Sequence, residues 1–271
     1  SKKVFVQIEN RSEILYDYGI ANGINKQYLS YIVNNAEFLE YQYMARYDAV
    51  FVLNEMDRIR FQKNIPGVKV YNSPFGILDR EIKEQDFTKY STQNLIFVGS
   101  ESHYPNLDGI QWFLTEIISK CTKNSFKKLF ITGSWKDETR KRLEALNECV
   151  EFIGFVDDLD PYLKNSISIV PIRIGGGGIR TNILFAMAKG SPVVATPISA
   201  IGISNEHGKD LMIAGNSEEF ADAINVISND NERARELISN GFNLIRNKFS
   251  QHIVSEKRNQ FYLEITSNHI D

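Results

Sequence analysis

Four consecutive glycines occupy residues 175–178, and Arg180 follows two residues after the last of them. Because glycine has no side chain, backbone N–H groups in such a run can approach a ligand closely. At the start of a helix these N–H groups also carry a partial positive charge, which attracts anions. A guanidinium next to the loop can add charge-assisted hydrogen bonds to phosphate oxygens. The residue types and their spacing therefore predict a phosphate-binding site.

The sequence on both sides of the glycines predicts elements that would hold this loop at the edge of a sheet. A β-branched run at 167–173 precedes the glycines, a helical pattern covers 178–189, and a second apolar run covers 192–196. This order predicts a strand, loop, helix, strand unit of the Rossmann type. The loop matches neither the dinucleotide fingerprint G-x-G-x-x-G nor the Walker A loop, which ends in G-K-[ST].

The same alternation is found before this unit, in residues 94–165. The predicted strands and helices are 94–99, 106–121, 127–133, 136–147, 150–156 and 158–165. Together with 167–173 and 192–196, they predict five strands of a doubly wound parallel α/β domain. An apolar segment at 211–214 and helical patterns near 217–227, 231–248 and 250–266 follow.

The amino-terminal part predicts a smaller parallel α/β domain. Its predicted strands are 3–8, 48–54 and 68–71, and its predicted helices are 25–47 and 55–62, the second with Asn54 as N-cap. Ser1 stands immediately before a strand and no Met opens the chain, so we expect a truncated or processed N-terminus. The polar stretch 82–92 predicts a domain boundary. The predicted division is 1–92, 93–249 and a C-terminal helix at 250–271, for which packing on the N-terminal domain is one arrangement.

Composition indicates an ordinary globular protein. Of the 271 residues 42% are hydrophobic, and 31 Lys and Arg against 34 Asp and Glu give a net charge of −3, which argues against nucleic-acid binding. Cys121 and Cys149 lack C-x-x-C spacing, which fits a reducing cytoplasm. No apolar run has the length of a membrane span. Basic clusters at 127–128 and 140–142 are interpreted as solvated surface, and they leave a weak contact with an anionic membrane open.

Short motifs occur throughout the second predicted domain, at 97–100, 103–110, 112–113, 130–133, 150–156, 170–173, the glycine loop and 218–224. By these motifs the domain resembles the donor-binding C-terminal half of GT-B glycosyltransferases, in particular the GT4-like group. The resemblance extends from residue 94 to about residue 250, and the motifs occur in the family's order. Residues 48–79 also resemble the end of a GT-B N-terminal domain.

This resemblance implies transfer of a sugar from a UDP- or GDP-sugar to a glycan or lipid-linked acceptor held across an interdomain cleft. It implies retention of anomeric configuration and no requirement for a metal or a cofactor, because the nucleotide-sugar is a substrate. It assigns no catalytic residue and no oligomeric state. The residues that it places at the donor are Gly176, Gly177, Gly178 and Arg180 for the diphosphate, Phe155 and Val156 for the base, and Gly99 at the same crevice.

Two positions depart from the family pattern. The usual Lys, which supports the phosphates, is Asn182, and the usual Glu, which hydrogen-bonds the ribose, is Phe185. Helical spacing places Phe185 on one face with Asn182 and Lys189. Either Phe185 packs against a neighbouring element, or it borders the donor pocket and changes how ribose is held. The second function hypothesis is accordingly a non-catalytic relative that binds a nucleotide, a glycan or a protein partner. A Rossmann dehydrogenase is disfavoured by the missing fingerprint.

Other polar residues are interpreted as structural. Asp157, Asp158 and Asp160 precede a short helical segment and are expected to cap it rather than bind a metal, because metal sites need converging ligands. His103 and His207 lie in predicted loops, where a solvated role is favoured over a role at the donor or the acceptor.

Overall fold

The structure, a computed structural model, describes residues 1–82, 86–175, 178–204 and 206–267. It divides into two compact units. Unit 1 comprises Ser1–Gly76, Ile174–Ile179 and Gln251–Asp271, and unit 2 comprises Ile77–Arg173 and Arg180–Ser250. The first division falls after residue 76 rather than after residue 92, because the backbone N–H of Ile77 donates to the carbonyl oxygen of Phe249 at 2.7 Å.

Unit 1 alternates short strands with helices. In chain order its elements are β1 (Val4–Val6), α1 (Arg11–Ala21), α2 (Lys26–Met44), β2 (Ala49–Val52), α3 (Glu55–Asn64) and β3 (Lys69–Asn72). The described strands pair in the order β1-β2-β3 and are all parallel. The predicted small parallel sheet is therefore present.

Helix α1 is an element that the sequence analysis did not predict. Its apolar residues show weak periodicity, and Gly19 interrupts the helical pattern. In the structure that glycine has a packing role, because a Cβ at residue 19 would collide with the side chain of Leu29 in α2. The missing side chain lets the two helices approach each other closely.

Unit 2 continues the alternation over the rest of the fold. Its elements are β4 (Asn94–Val98), α4 (Tyr104–Trp112), β5 (Leu129–Thr132), α5 (Asp137–Glu144), β6 (Val150–Gly154), α6 (Asp160–Leu163), β7 (Ser166–Val170), α7 (Thr181–Ala188), β8 (Val193–Ala195), α8 (Pro197–Ala200), β9 (Met212–Ile213), α9 (Ser217–Asn229) and α10 (Asn231–Leu244). Single π-helical turns, Phe113–Ile117 and Ile245–Phe249, extend α4 and α10.

The described strands of unit 2 form one parallel sheet in the order β6-β5-β4-β7-β8-β9. This is the doubly wound order, and the winding reverses between β4 and β7. The five predicted strands are all present, and β9 is a sixth that falls in the apolar segment 211–214. Helix α7 begins at Thr181, three residues after the predicted start, because the chain through Gly178 does not adopt helical geometry.

Both sheets are covered on both faces. In unit 2, Leu95, Ile96 and Phe97 of β4 are consecutive and fully buried, which is typical of a parallel strand with helices on either side. In unit 1, alternate residues of β2 face opposite layers. Val50 and Val52 pack into a core with residues that include Met44, Phe61 and Val70, while Ala49 and Phe51 pack with Ile265 and Phe261 of the C-terminal helix α11 (Gln251–Ser267). None of the helices in the described part of the chain combines the length and apolar composition of a membrane span.

Candidate functional site

The predicted donor-binding residues of unit 2 follow the carboxyl ends of its parallel strands. Gly99 comes directly after β4, Phe155 and Val156 come after β6, and Arg180 is the N-cap of α7, which follows β7. Parallel strands end at one edge of a sheet, and open α/β sheets bind ligands at that edge beside the switch point. β6 lies two strands from β4, a separation of about 10 Å. That span suits a ligand with a base at one end and phosphates at the other.

The end of β4 is held against the end of β5. The indole Nε1 of Trp135 donates to the carbonyl oxygen of Gly99 at 2.9 Å. Gly133 has φ of +96°, and a Cβ at this position would lie 2.7 Å from Ser100 Oγ and still closer to the carbonyl oxygen of Gly99. Only glycine fits this backbone conformation and this space. The backbone at Gly99 is therefore fixed by the neighbouring strand end.

The chain after β6 presents an aromatic ring to solvent. Gly154 ends the strand with φ of +72°, and the side chain of Phe155 is 84% exposed. Val156 is partly buried next to it. An exposed ring at the carboxyl edge of a sheet can stack on the face of a base. The position is compatible with the predicted role, which stays a prediction.

Asn182 connects α7 to the end of β4. Its amide Nδ2 donates to the carbonyl oxygen of Val98 at 3.2 Å. An amide carries two N–H donors, so one remains for a ligand or for water. A longer, positively charged Lys at this position would not make the same neutral contact. Asn182 thus forms a hydrogen bond with the protein backbone at the position where the family pattern has a Lys that supports the phosphates.

Phe185 packs against a buried ammonium group. The ring is partly buried, and Nζ of Lys189 lies 5.3 Å from its centroid. The side chain of Lys189 is only 7% exposed and forms ion pairs with Glu81 at 2.8 Å and Asp160 at 2.9 Å. Burial acts to lower the pKa of Lys189, but the bonds to the two carboxylates outweigh it, so the pKa lies above its ordinary value. These contacts give Phe185 a packing role. A role in donor binding stays a prediction.

Phe185→Glu is expected to destabilise the fold by about 2 kcal/mol, because part of a buried aromatic ring is lost. The new carboxylate would also add a third negative charge around Lys189. The affinity for UDP is expected to stay within about twofold, because the carboxylate would pair with Lys189 rather than with ribose. Urea unfolding and calorimetric titration measure the two effects. Phe185→Leu is the matched control, with an expected loss below about 1.5 kcal/mol. Tighter UDP binding by the Glu variant without a loss of stability would contradict this assignment.

The glycine loop has its described contacts within unit 1. Gly176 and Gly177 lie outside the described residues. The backbone N–H of Gly175 donates to Asp17 Oδ2 at 2.7 Å, and that of Gly178 donates to Asp57 Oδ2 at 3.4 Å. The amide Nδ2 of Asn54 donates to the carbonyl oxygen of Gly178 at 3.0 Å.

These loop contacts were not predicted from the sequence. Asn54 was predicted as the N-cap of α3, and it does accept the backbone N–H of Asp57 at 2.9 Å. Its second bond, to Gly178, has no local signal. Asp17 lies in α1, which itself was not predicted. The four glycines were interpreted as a site for a phosphate ligand, and this interpretation did not include contacts with side chains of the protein.

The acidic cluster after β6 has a local role. Asp158 Oδ1 accepts the backbone N–H of Asp160 at the start of α6, at 2.9 Å, and Asp160 pairs with Lys189. Within the described ranges, no three His, Cys, Asp or Glu side chains are grouped as metal ligands would be.

The two histidines predicted to lie in loops are found next to regular elements. His103 precedes α4 as its N-cap residue, and His207 Nδ1 lies 2.7 Å from the carbonyl oxygen of Ile213 in β9.

The fold and the matching segments define the class of the protein. Proteins of the GT-B class contain a doubly wound parallel unit and a second α/β unit, and this chain has both. The predicted fold class is confirmed. Residues 92–230 match the family described as Glycosyl transferases group 1. The chain belongs to this family.

Known proteins similar to this chain include a relative from Klebsiella pneumoniae and the solved structures of TarM and HepE. An uncharacterized 44.6 kDa protein in the cps region of Klebsiella pneumoniae is 29% identical over 165 residues, 58% of this chain and 42% of that protein. TarM of S. aureus, solved with Fondaparinux, alpha-GlcNAc-glycerol and UDP, has a TM-score of 0.71 at 20% identity over 97% of this chain and 50% of TarM. HepE of Anabaena, solved with UDP, has a TM-score of 0.66 at 16% identity over 96% of this chain and 72% of HepE. This chain thus spans half the length of TarM and less than half of the Klebsiella protein.

Proposed function

We propose that this chain binds a nucleotide-sugar, preferably a UDP-sugar, and transfers the sugar to a glycan or lipid-linked acceptor. The observation that carries the proposal is the arrangement of Gly99, Phe155, Val156 and Arg180 along the carboxyl edge of a doubly wound sheet in a member of this family. UDP is favoured as the nucleotide because TarM and HepE were solved with it. A glycan acceptor and a role in polysaccharide synthesis fit the ligands of TarM and the cps region of the Klebsiella relative.

The proposed chemistry depends on the negative charge that develops on the diphosphate when it leaves the sugar. Departure of the sugar leaves an additional negative charge on the diphosphate, and catalysis requires groups that stabilise that charge. In this proposal Arg180 and the backbone N–H groups of the glycine loop supply the stabilisation without a metal ion, and the anomeric configuration of the sugar is retained. A cytoplasmic location fits Cys121 and Cys149, which both lie in the described part of the chain and are free.

A second candidate function is nucleotide binding without catalysis. It is favoured by the contacts of Asn182 with Val98 and of Phe185 with Lys189, because both positions engage the protein where the family pattern has charged groups for the donor. A protein of this kind would bind UDP but leave UDP-sugars intact. The measurement that separates the two functions is therefore hydrolysis or transfer, not binding.

The proposal is tested with a thermal-unfolding panel of UDP, GDP, ADP and dTDP and their sugars. A ligand that binds only the native state at 100 times its Kd stabilises it by about 2.7 kcal/mol, and UDP is expected to give the largest shift. Release of sugar from UDP-glucose or UDP-GlcNAc would then support the transferase. Binding without release would favour the second candidate. If no nucleotide shifts the melting temperature, the proposed donor site is contradicted.

A further inference from the structure

A buried ammonium group joins three segments of unit 2. Lys189 directly follows α7, and its side chain is buried. Its Nζ lies 2.8 Å from Oε2 of Glu81, in the segment before β4, and 2.9 Å from Oδ1 of Asp160, the first residue of α6. The same Nζ lies 5.3 Å from the ring centroid of Phe185 in α7. One side chain therefore connects α7 with two segments that are distant from each other in the sequence.

Asp160 comes directly after the segment 155–159, which connects β6 to α6. This segment contains both residues that are proposed to bind the base. Its start is fixed, because the carbonyl oxygen of Gly154 accepts the backbone N–H of Gly133 at 2.8 Å. Its end is fixed by Asp160, whose carboxylate pairs with Lys189. The base-binding segment is therefore held at both ends.

The ammonium of Lys189 is not explained by stability alone. Removing an ammonium from water costs free energy that its attraction to carboxylates repays only in part, and apolar replacements of buried ion pairs are often neutral or stabilising. An apolar side chain at residue 189 could also pack against Phe185. It could not orient carboxylates, whereas an ammonium offers three N–H donors. The arrangement therefore favours a role of Lys189 in the geometry of the segments that it joins.

We propose that Lys189 is a positioning residue for recognition of the nucleotide base, and that it acts through its ion pair with Asp160 on the segment 155–159. This inference rests on the proposed function. Lys189 itself does not need to touch the ligand. A segment that is already fixed binds a base more tightly than one that must be ordered on binding, because ordering side chains and loops lowers affinity. The gain is largest for the base that the fixed segment fits, so Lys189 is expected to increase the preference for UDP over GDP.

Three substitutions separate base positioning from stability. Lys189→Met removes the ammonium but keeps an unbranched apolar side chain. Asp160→Ala removes only the carboxylate that follows the base-binding segment, and this side chain is 49% exposed. Glu81→Ala is the matched control, because it removes the other carboxylate from the same ammonium and leaves the pair with Asp160 in place. The side chain of Glu81 is 30% exposed, so its loss is expected to lower the melting temperature at least as much as the loss of Asp160.

The experiment measures the Kd of UDP and of GDP by calorimetry, together with hydrogen exchange of peptides that cover residues 154–160. Both ligands carry the same ribose and diphosphate, so the ratio of their Kd values reports on the base alone. Lys189→Met and Asp160→Ala are each expected to weaken UDP binding about fivefold, to change GDP binding less than about twofold, and to speed exchange of the segment. Glu81→Ala is expected to leave both Kd values within about twofold. If Lys189→Met does not fold, the comparison of Asp160→Ala with Glu81→Ala decides the outcome.

The possible results differ in what they overturn. If the unsubstituted chain binds UDP and Asp160→Ala binds it as tightly as Glu81→Ala does, the positioning role is wrong while the proposed function stands. Equal losses for UDP and GDP would show an effect on the whole fold, and they would also overturn the inference. If no nucleotide binds to the unsubstituted chain, the proposed function is contradicted and this inference is overturned with it.

Discussion

Arg180→Ala is expected to weaken the binding of UDP by roughly one to two decades. A hydrogen bond to a charged partner contributes about 1.5 to 3 kcal/mol, and each 1.4 kcal/mol is a factor of ten in affinity. Arg180 is the N-cap residue of α7 and follows the glycine loop directly. In the proposed function it is the cation that approaches the diphosphate. The affinity of Arg180→Lys for UDP is expected to lie between those of the unsubstituted chain and of Arg180→Ala, because an ammonium cannot form the two parallel bonds of a guanidinium.

Arg173 supplies the matched control for this experiment. It also follows β7, but its guanidinium binds the carboxylate of Asp108 at 2.9 and 3.2 Å and lies 5.0 Å from the ring centroid of Trp112. Because these bonds occupy the guanidinium, Arg173→Ala is expected to leave the Kd of UDP within about twofold. Equal losses for the Arg173 and Arg180 variants would indicate a general effect of positive charge and would contradict a specific phosphate contact.

Gly133→Ala is expected to destabilise the fold by about 3 kcal/mol, the largest stability effect among these variants. A non-glycine residue at positive φ costs roughly 1 to 2 kcal/mol, and forcing an atom into packed structure costs about 1 to 3 kcal/mol more. The new Cβ would meet the carbonyl oxygen of Gly99 and the hydroxyl of Ser100. Urea unfolding measures the loss. The same displacement would move Gly99, so UDP affinity should fall as well.

Gly154→Ala separates the two expected causes of the stability loss in Gly133→Ala, which are the strain of positive φ and the clash of the new Cβ. Gly154 also has positive φ, at +72°, but a Cβ there would have no neighbour within 4 Å among the described residues. Its expected loss is therefore the conformational part alone, about 1 to 2 kcal/mol. If the two variants lose the same stability, the close packing between the ends of β4 and β5 does not contribute, and the assigned role of Gly133 is wrong.

The architecture of both sheets could be predicted because it is encoded locally. Strands such as β4 are continuous apolar runs, and helices such as α9 begin with a capping residue, Asn216, that is visible in the sequence. Each of these signals lies within a few consecutive residues, so it can be recognised without knowing the rest of the fold. The same reasoning explains why β2 and β3 were found in unit 1. It failed for α1, because Gly19 interrupts the helical pattern at the point where α1 lies close to the side chain of Leu29.

The contacts around the candidate site are encoded differently. Gly178 and Asp57 are separated by 121 residues, and Gly175 and Asp17 by 158 residues. No periodicity or spacing links such partners, because the fold alone brings them together. The pairing of Lys189 with Glu81 is of the same kind. The sequence thus predicted that the glycine loop would bind a phosphate ligand, whereas the carboxylates that accept from Gly175 and Gly178 emerged only from the three-dimensional structure.

The most direct test of a diphosphate site is a calorimetric titration of the unsubstituted chain with UDP and, in parallel, with uridine. Both ligands offer the same base and ribose, so they differ only in the group that Arg180 and the glycine loop are proposed to bind. We expect saturable binding of UDP and at least about tenfold weaker binding of uridine, since the phosphate contacts are charge-assisted. Equal affinity for the two ligands, or no binding of UDP, would contradict the account.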